Sequence, residues 1–199
     1  MNKRFISRIF LALVLLLAGR AQAAISLGFT APIQTDNRLQ ISLQVSGLAD
    51  ALAPALSTYD VDVHFDPSLL SYSGITFGDP QLGNQLDVFN LGNNPTAVEL
   101  NGVGILNVFE LSLDTPADLN DLQMNNFILA TLDFDILNHG SSVLSLNVNV
   151  FDDADASALS PAVQSASIST VPVPSAAWLL LSGLGVMLRA RLTARLTRH

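Results

Sequence analysis

Asp152, Asp153 and Asp155 put three carboxylates within four residues, just after an alternating apolar run and just before Ser157. Such a group can converge oxygens on calcium, a hard cation that takes about six to eight of them. The segment lacks the glycine and the closing glutamate of an EF-hand loop, and the competing reading is a solvated acidic turn. Histidine chemistry is thin. Only His64 and His139 lie away from the termini, they form no His-x-x-x-His pair, and neither accompanies a Gly-x-Ser-x-Gly nucleophile. Paired carboxylates can make a glycosidase, but 17 acids give pairs at any spacing. The expectation is a protein that is not an enzyme. For stacking on sugars the candidates are Tyr59, Tyr72, Phe77 and Phe89, whereas Phe65, Phe109, Phe127 and Phe134 are expected in the core. Asn84, Gln85, Asn90, Asn93, Asn94 and Asn101 make residues 80–101 either a polar recognition loop or an irregular connection.

The charges are sharply partitioned. Four basic residues fall in the first 20 positions and four in the last 11, leaving Arg38 alone against all 17 acids, a net charge of −16 between the two ends. One arginine cannot build a basic patch, which excludes nucleic acid as a partner of this region. With no cysteine, disulfide scaffolds, thiol catalysis and cysteine-ligated metals are excluded as well.

Alternation positions what remains. Leu39, Ile41, Leu43 and Val45 interleave with polar residues, as do Val61, Val63 and Phe65 with Asp60, Asp62 and His64. Ile128, Ala130, Leu132, Phe134 and Ile136 form a third set, and Leu144, Leu146, Val148 and Val150 a fourth. A period of two puts each set on one buried face. Asp60, Asp62, Asp133 and Asp135 then stand on solvent faces, where they keep a sheet soluble. Turn residues separate the runs at Asp66-Pro67-Ser68, Gly78-Asp79-Pro80, Gly92 to Pro95, Asn101-Gly102, Asp114-Thr115-Pro116 and Asn138-His139-Gly140. The pattern predicts one all-β domain over residues 24–170, an antiparallel sandwich or jelly roll of about nine strands, with helical turns expected at 50–54 and 118–125.

The two ends read as addresses. Residues 1–23 have a basic start, an apolar run from Ile9 to Ala18, and Ala21-Gln22-Ala23 before a cut expected at Ala24, the layout of a secretory signal peptide. An uncleaved anchor is the alternative. In residues 171–199, Pro172 and Pro174 punctuate the chain before an apolar helix expected over about 175–188 and the arginines that follow. Arginines on that side predict a cytoplasmic tail with the acidic domain outside.

This C-terminal segment resembles the PEP-CTERM sorting tails of Gram-negative bacteria. Pro172 and Pro174 match the two prolines, Trp178 to Leu188 the helix, and Arg189 with Arg191 the basic cluster, while Val173 replaces the family's glutamate. The resemblance implies processing by an exosortase-type enzyme after membrane insertion through the helix; an ordinary tail anchor is the other reading. A second resemblance lies in the middle. Ser57 to Tyr72, with Phe65-Asp66-Pro67 followed by Leu69-Leu70, and Phe127 to Val150 are similar to segments of cohesin domains. That likeness implies a β-sandwich whose partner is a dockerin-like protein, met by a sheet face, or a polysaccharide. The expected function is thus a non-catalytic, exported cell-surface or matrix binding module, against a passive acidic matrix protein bridged by divalent cations.

Overall fold

The computed structural model describes residues 24–170. The expected signal peptide with Ala21 and Ala23, and the expected sorting segment with Pro172, Pro174, Trp178, Arg189 and Arg191, lie outside the described residues. Among the described residues no helix is long and apolar enough to cross a membrane.

Among the described residues eleven strands form two layers: β1 (Ser26–Phe29), β2 (Ile33–Thr35), β3 (Arg38–Ser46), β4 (Leu56–His64), β5 (Leu70–Phe77), β6 (Thr96–Leu100), β7 (Ile105–Leu111), β8 (Asn126–Ile136), β9 (Gly140–Asp153), β10 (Ala162–Val163) and β11 (Ala166–Thr170). One sheet runs β10-β1-β3-β8-β5 with β2 on β3, and the other runs β11-β9-β4-β7-β6. The count exceeds the expected nine because strands of two or three residues, such as β10 and β2, are too short for alternation to mark. The first sheet is also mixed, since β10 lies parallel to β1.

The sheets face each other across one core that includes Leu39, Ile41, Leu43, Val45, Val61, Val63, Leu132 and Phe134. At about 25 cal/mol per Å² of apolar surface removed from water, this layer is the main source of stability. Two alternating sets depart at their ends, for one reason. A bulge between Leu43 and Gln44 sets Ile128 opposite Gln44, on the outer side, and a bulge between Asp60 and Val61 sets Val150 opposite Asp60, also outside. A one-residue shift turns every following side chain to the other face.

The Asp66-Pro67-Ser68 turn is built from its own side chains. Asp66 Oδ1 accepts from the Ser68 N–H at 2.9 Å and its hydroxyl at 2.6 Å. Phe65 closes the core against Phe134, ring centroids 5.2 Å apart. Gly104 must be glycine, because it has φ +76° and a Cβ there would lie 2.4 Å from the Phe65 carbonyl oxygen.

A short helix, α1 (Pro116–Leu122), starts at the N-cap Thr115, whose hydroxyl accepts the Asp118 N–H, with proline in the first turn. It falls near the expected 118–125. The other expected helical turn, at 50–54, has bends at residues 50–53 and no helix. The 47–55, 78–95 and 112–125 connections meet at one end of the sandwich, held by Ala51 N–H to Gln123 O (3.2 Å) and Met124 N–H to Gln85 Oε1 (3.0 Å). Ser26 pairs near this end, opposite Ser46, while Thr170 pairs with Gly140 at the other end.

Candidate functional site

The outer face of the five-stranded sheet carries a grid fixed by strand register. Val150, Asp60, Phe109 and Ala97 form one row across β9, β4, β7 and β6; Asn147, Asp62, Asn107 and Glu99 form the next; Ser145, His64 and Ile105 a third. Cross-strand partners share a face, so these side chains all point outward. Asn107 Nδ2 donates to Asp60 Oδ1 at 2.6 Å and to Asp62 Oδ1 at 2.9 Å. Asn149, at the bulge, donates to Asp60 Oδ1 at 3.1 Å and accepts from Asn147 Nδ2 at 3.0 Å. The hydrogen bond from Asn107 holds the Asp62 carboxyl below its ordinary value against the opposing effect of desolvation, with further help from Asn149, His64 and Asn147.

The bookkeeping of this cluster decides what it can do. Both Asn107 amide hydrogens and one each from Asn147 and Asn149 are spent within the cluster, while each carboxylate keeps a second oxygen beside the Asn107 and Asn147 carbonyl oxygens. Acceptors therefore face outward in surplus, between apolar neighbours Phe109, Val150 and Leu111. A surface of this kind suits a partner bringing N–H, ammonium, guanidinium or hydroxyl donors together with some apolar area. Phe109 was expected in the core and is instead half-exposed here, because Asn107 fixes the parity of β7: residues 105, 107, 109 and 111 face out, while 106, 108 and 110 face in.

That parity buries Glu110 completely. Its Oε2 accepts from the Tyr59 hydroxyl at 3.1 Å, and its Oε1 from Asn84 Nδ2 at 2.6 Å and Asn94 Nδ2 at 3.3 Å. Burial pushes the Glu110 carboxyl up, and these three donors oppose it; Tyr59 is pushed well up, by burial first and by Glu110 second. Tyr59, a candidate for sugar stacking in the sequence, is 0% exposed and unavailable, since it continues the inward parity of Val61 and Val63. Tyr72 is partly covered and meets Phe134 edge-on at 6.3 Å, and Phe77 packs against the core, leaving Phe89 as the exposed member of that set.

The amide-rich 80–101 segment is a fixed connection. Asn84 and Asn94 reach inward to Glu110, Gln85 ties Leu82 to Met124, and Asp87 accepts the Leu91 and Gly92 N–H groups at 2.8 and 2.6 Å. Asn90, Asn93 and Asn101 remain exposed.

The Asp152–Asp155 segment is also occupied by its own backbone. Asp153 Oδ1 accepts the N–H groups of Asp155 (2.9 Å) and Ser157 (2.8 Å), closing the turn after β9. Among the described residues no three His, Cys, Asp or Glu side chains gather as a metal-holding group, so Asp152, Asp153 and Asp155 do not converge as the calcium reading requires. His64 sits half-buried in the grid and His139 in an exposed turn.

No sequence-family model and no curated protein matches the chain. Solved structures do. The sixth cohesin of scaffoldin B from Acetivibrio cellulolyticus, solved with a dockerin, superposes with a TM-score of 0.56 at 17% identity, covering 75% of this chain and 100% of that one. A type I cohesin–dockerin complex from Clostridium thermocellum gives 0.57 at 12% identity, with 74% and 99% covered. A non-cellulosomal cohesin from the archaeon Archaeoglobus fulgidus gives 0.53 at 14% identity, with 77% and 96% covered. The described residues thus have the cohesin fold, a β-sandwich. At these identities the likeness establishes architecture, and function must be argued from the site.

Proposed function

We propose that this chain is an exported, non-catalytic binding module that captures a dockerin-like protein segment on the outer face of its five-stranded sheet. The observation that carries the proposal is the acceptor-surplus cluster of Asp60, Asp62, Asn107, Asn147 and Asn149 beside Phe109 and Val150. The two bacterial cohesins above were solved bound to dockerins, which supports a protein partner of that kind. A helical segment with lysine, arginine or hydroxyl side chains around an apolar stripe has the complementary chemistry. In this reading residues 1–23 direct export, and residues 171–199 hold the protein in the membrane until an exosortase-type enzyme releases it to the surface or matrix.

The test is retention of proteins from the producing organism's secreted fraction on the immobilised chain. The expected outcome is one protein held by the wild type and lost with Asn107→Ala plus Asp62→Ala. Equal retention by the double variant, or only calcium-dependent self-association, goes against it. Mass spectrometry of the surface-released protein checks the processing claim, which an intact C-terminus overturns.

A further inference from the structure

The opposite sheet bears a groove of about 640 Å³ that the protein-binding proposal leaves unused. Its floor is a row of hydroxyls in register across three adjacent strands: Ser42 on β3, Thr131 on β8 and Thr76 on β5. Thr131 points outward yet is only 8% exposed, which shows how far the floor lies below its rims. One rim is the β1–β2 connection with Ile33, which is 61% exposed; the other is the start of the 78–95 connection, Gly78 to Pro80. Pockets of a few hundred Å³ are the usual size for small-molecule sites.

The chemistry of the lining selects the ligand. Ser42 and Thr131 share one hydrogen bond of 2.9 Å, which leaves the pair a free O–H and lone pairs. Gln40 Nε2 gives one N–H to Asp133 at 2.9 Å, which holds the amide in place with its second N–H and its carbonyl oxygen left for a ligand. Asp79 is the lining residue that carries a charge, and its carboxylate is consumed: Oδ1 takes the Gln81 and Leu82 N–H groups, and Oδ2 takes that of Ile128. In a region of net charge −16 this groove offers neutral donors and acceptors beside the Asp133 carboxylate that receives Gln40 and an Asp79 carboxylate whose oxygens are taken by backbone N–H groups, both of which repel an anionic ligand. At β3 and β8 the floor strands pair with neighbours on both sides, so the centre of the groove presents side chains and not an open backbone edge, which lies only on the far side of β5.

We infer that the groove on the six-stranded sheet binds a neutral saccharide. Ser42, Thr131 and Gln40 hydrogen-bond its hydroxyls, and the apolar rim at Ile33 covers the C–H face of a sugar ring. The site is independent of the protein-binding face, because the two lie on opposite outer surfaces of the sandwich.

Isothermal titration of the full chain with cellohexaose, mannohexaose and xylohexaose, and with hexagalacturonate as the charged counterpart, tests this. The expected result is binding of at least one neutral hexaose and none of hexagalacturonate. Thr76→Arg, a change at an exposed edge-strand position, should weaken that binding by about tenfold or more at unchanged melting temperature, and Ile33→Asp should do likewise. Asn107→Ala should bind the sugar as wild type does. The inference is overturned if no neutral hexaose binds at millimolar concentration, if hexagalacturonate binds as well or better, or if both groove variants bind as the wild type does.

Discussion

Two amide–carboxylate clusters occupy the same pair of strands on opposite faces, and they do opposite things. Inside, Glu110 of β7 receives Tyr59, Asn84 and Asn94 and is sealed from water. Outside, Asp60 and Asp62 of β4 receive Asn107 and Asn149 and keep oxygens facing solvent. The inner cluster has its donors matched to one carboxylate, so it fastens the 78–95 connection, and its unpartnered acceptor, Asn94 Oδ1, is buried away from any ligand. The outer one is pre-organised but unsaturated, which is the condition for recognition. Burial, and not residue type, decides which is structural.

Glu110→Ala should be the most damaging single change. It leaves the Tyr59 hydroxyl and two amides without their acceptor in the interior, a loss of about 3 kcal/mol by denaturant unfolding. Loss of less than about 1 kcal/mol would mean that the cluster is not the fastening described. The pH dependence sharpens the contrast. Because burial raises the Glu110 carboxyl above its ordinary value of 4.5, the folded state holds that proton more tightly than the unfolded state. Its contribution is most favourable below 4.5 and is lost as pH rises through the folded value. Asp62, held low by Asn107, has the reverse sign: its contribution is present above the unfolded value and is lost as pH falls through the folded one. Glu110→Gln should therefore remove a decline in melting temperature with rising pH, seen by scanning calorimetry, and Asn107→Ala should leave that decline in place.

The outer cluster should be nearly silent in stability. Asn107→Ala is expected to shift unfolding by no more than about 0.5 kcal/mol. The turn after β9 falls between these two. Asp153→Ala should cost about 1 kcal/mol through loss of the side-chain acceptor of two backbone N–H groups, Asp153→Asn much less, and calcium should move the melting temperature of neither. A calcium-dependent rise in the wild type would restore the metal reading of Asp152, Asp153 and Asp155.

Much of the sandwich was legible because alternation is a physical signature of a half-buried strand: Leu39, Ile41, Leu43 and Val45 are all at most 2% exposed. Ile128 and Val150 were misplaced because a bulge leaves no composition signal when apolar residues stand on both sides of it. Phe109 and Glu110 were obscured by the apolar run around them, yet Asn107 held the parity that would have placed both. The outer cluster was half visible. Asp60 and Asp62 read as solvent-face charges, but their union with Asn107, Asn147 and Asn149 depends on register between strands distant in sequence, which no single segment encodes. The Asp152–Asp155 run shows the converse limit, since local carboxylate density says nothing of the backbone N–H groups that Asp153 receives.

The most direct measurement is the affinity of Asn107→Ala for the protein retained by the wild-type chain, by isothermal titration, alongside its melting temperature. Affinity weakened about tenfold or more at an unchanged melting temperature is the expected result. Unchanged affinity would contradict recognition by the outer face of the five-stranded sheet.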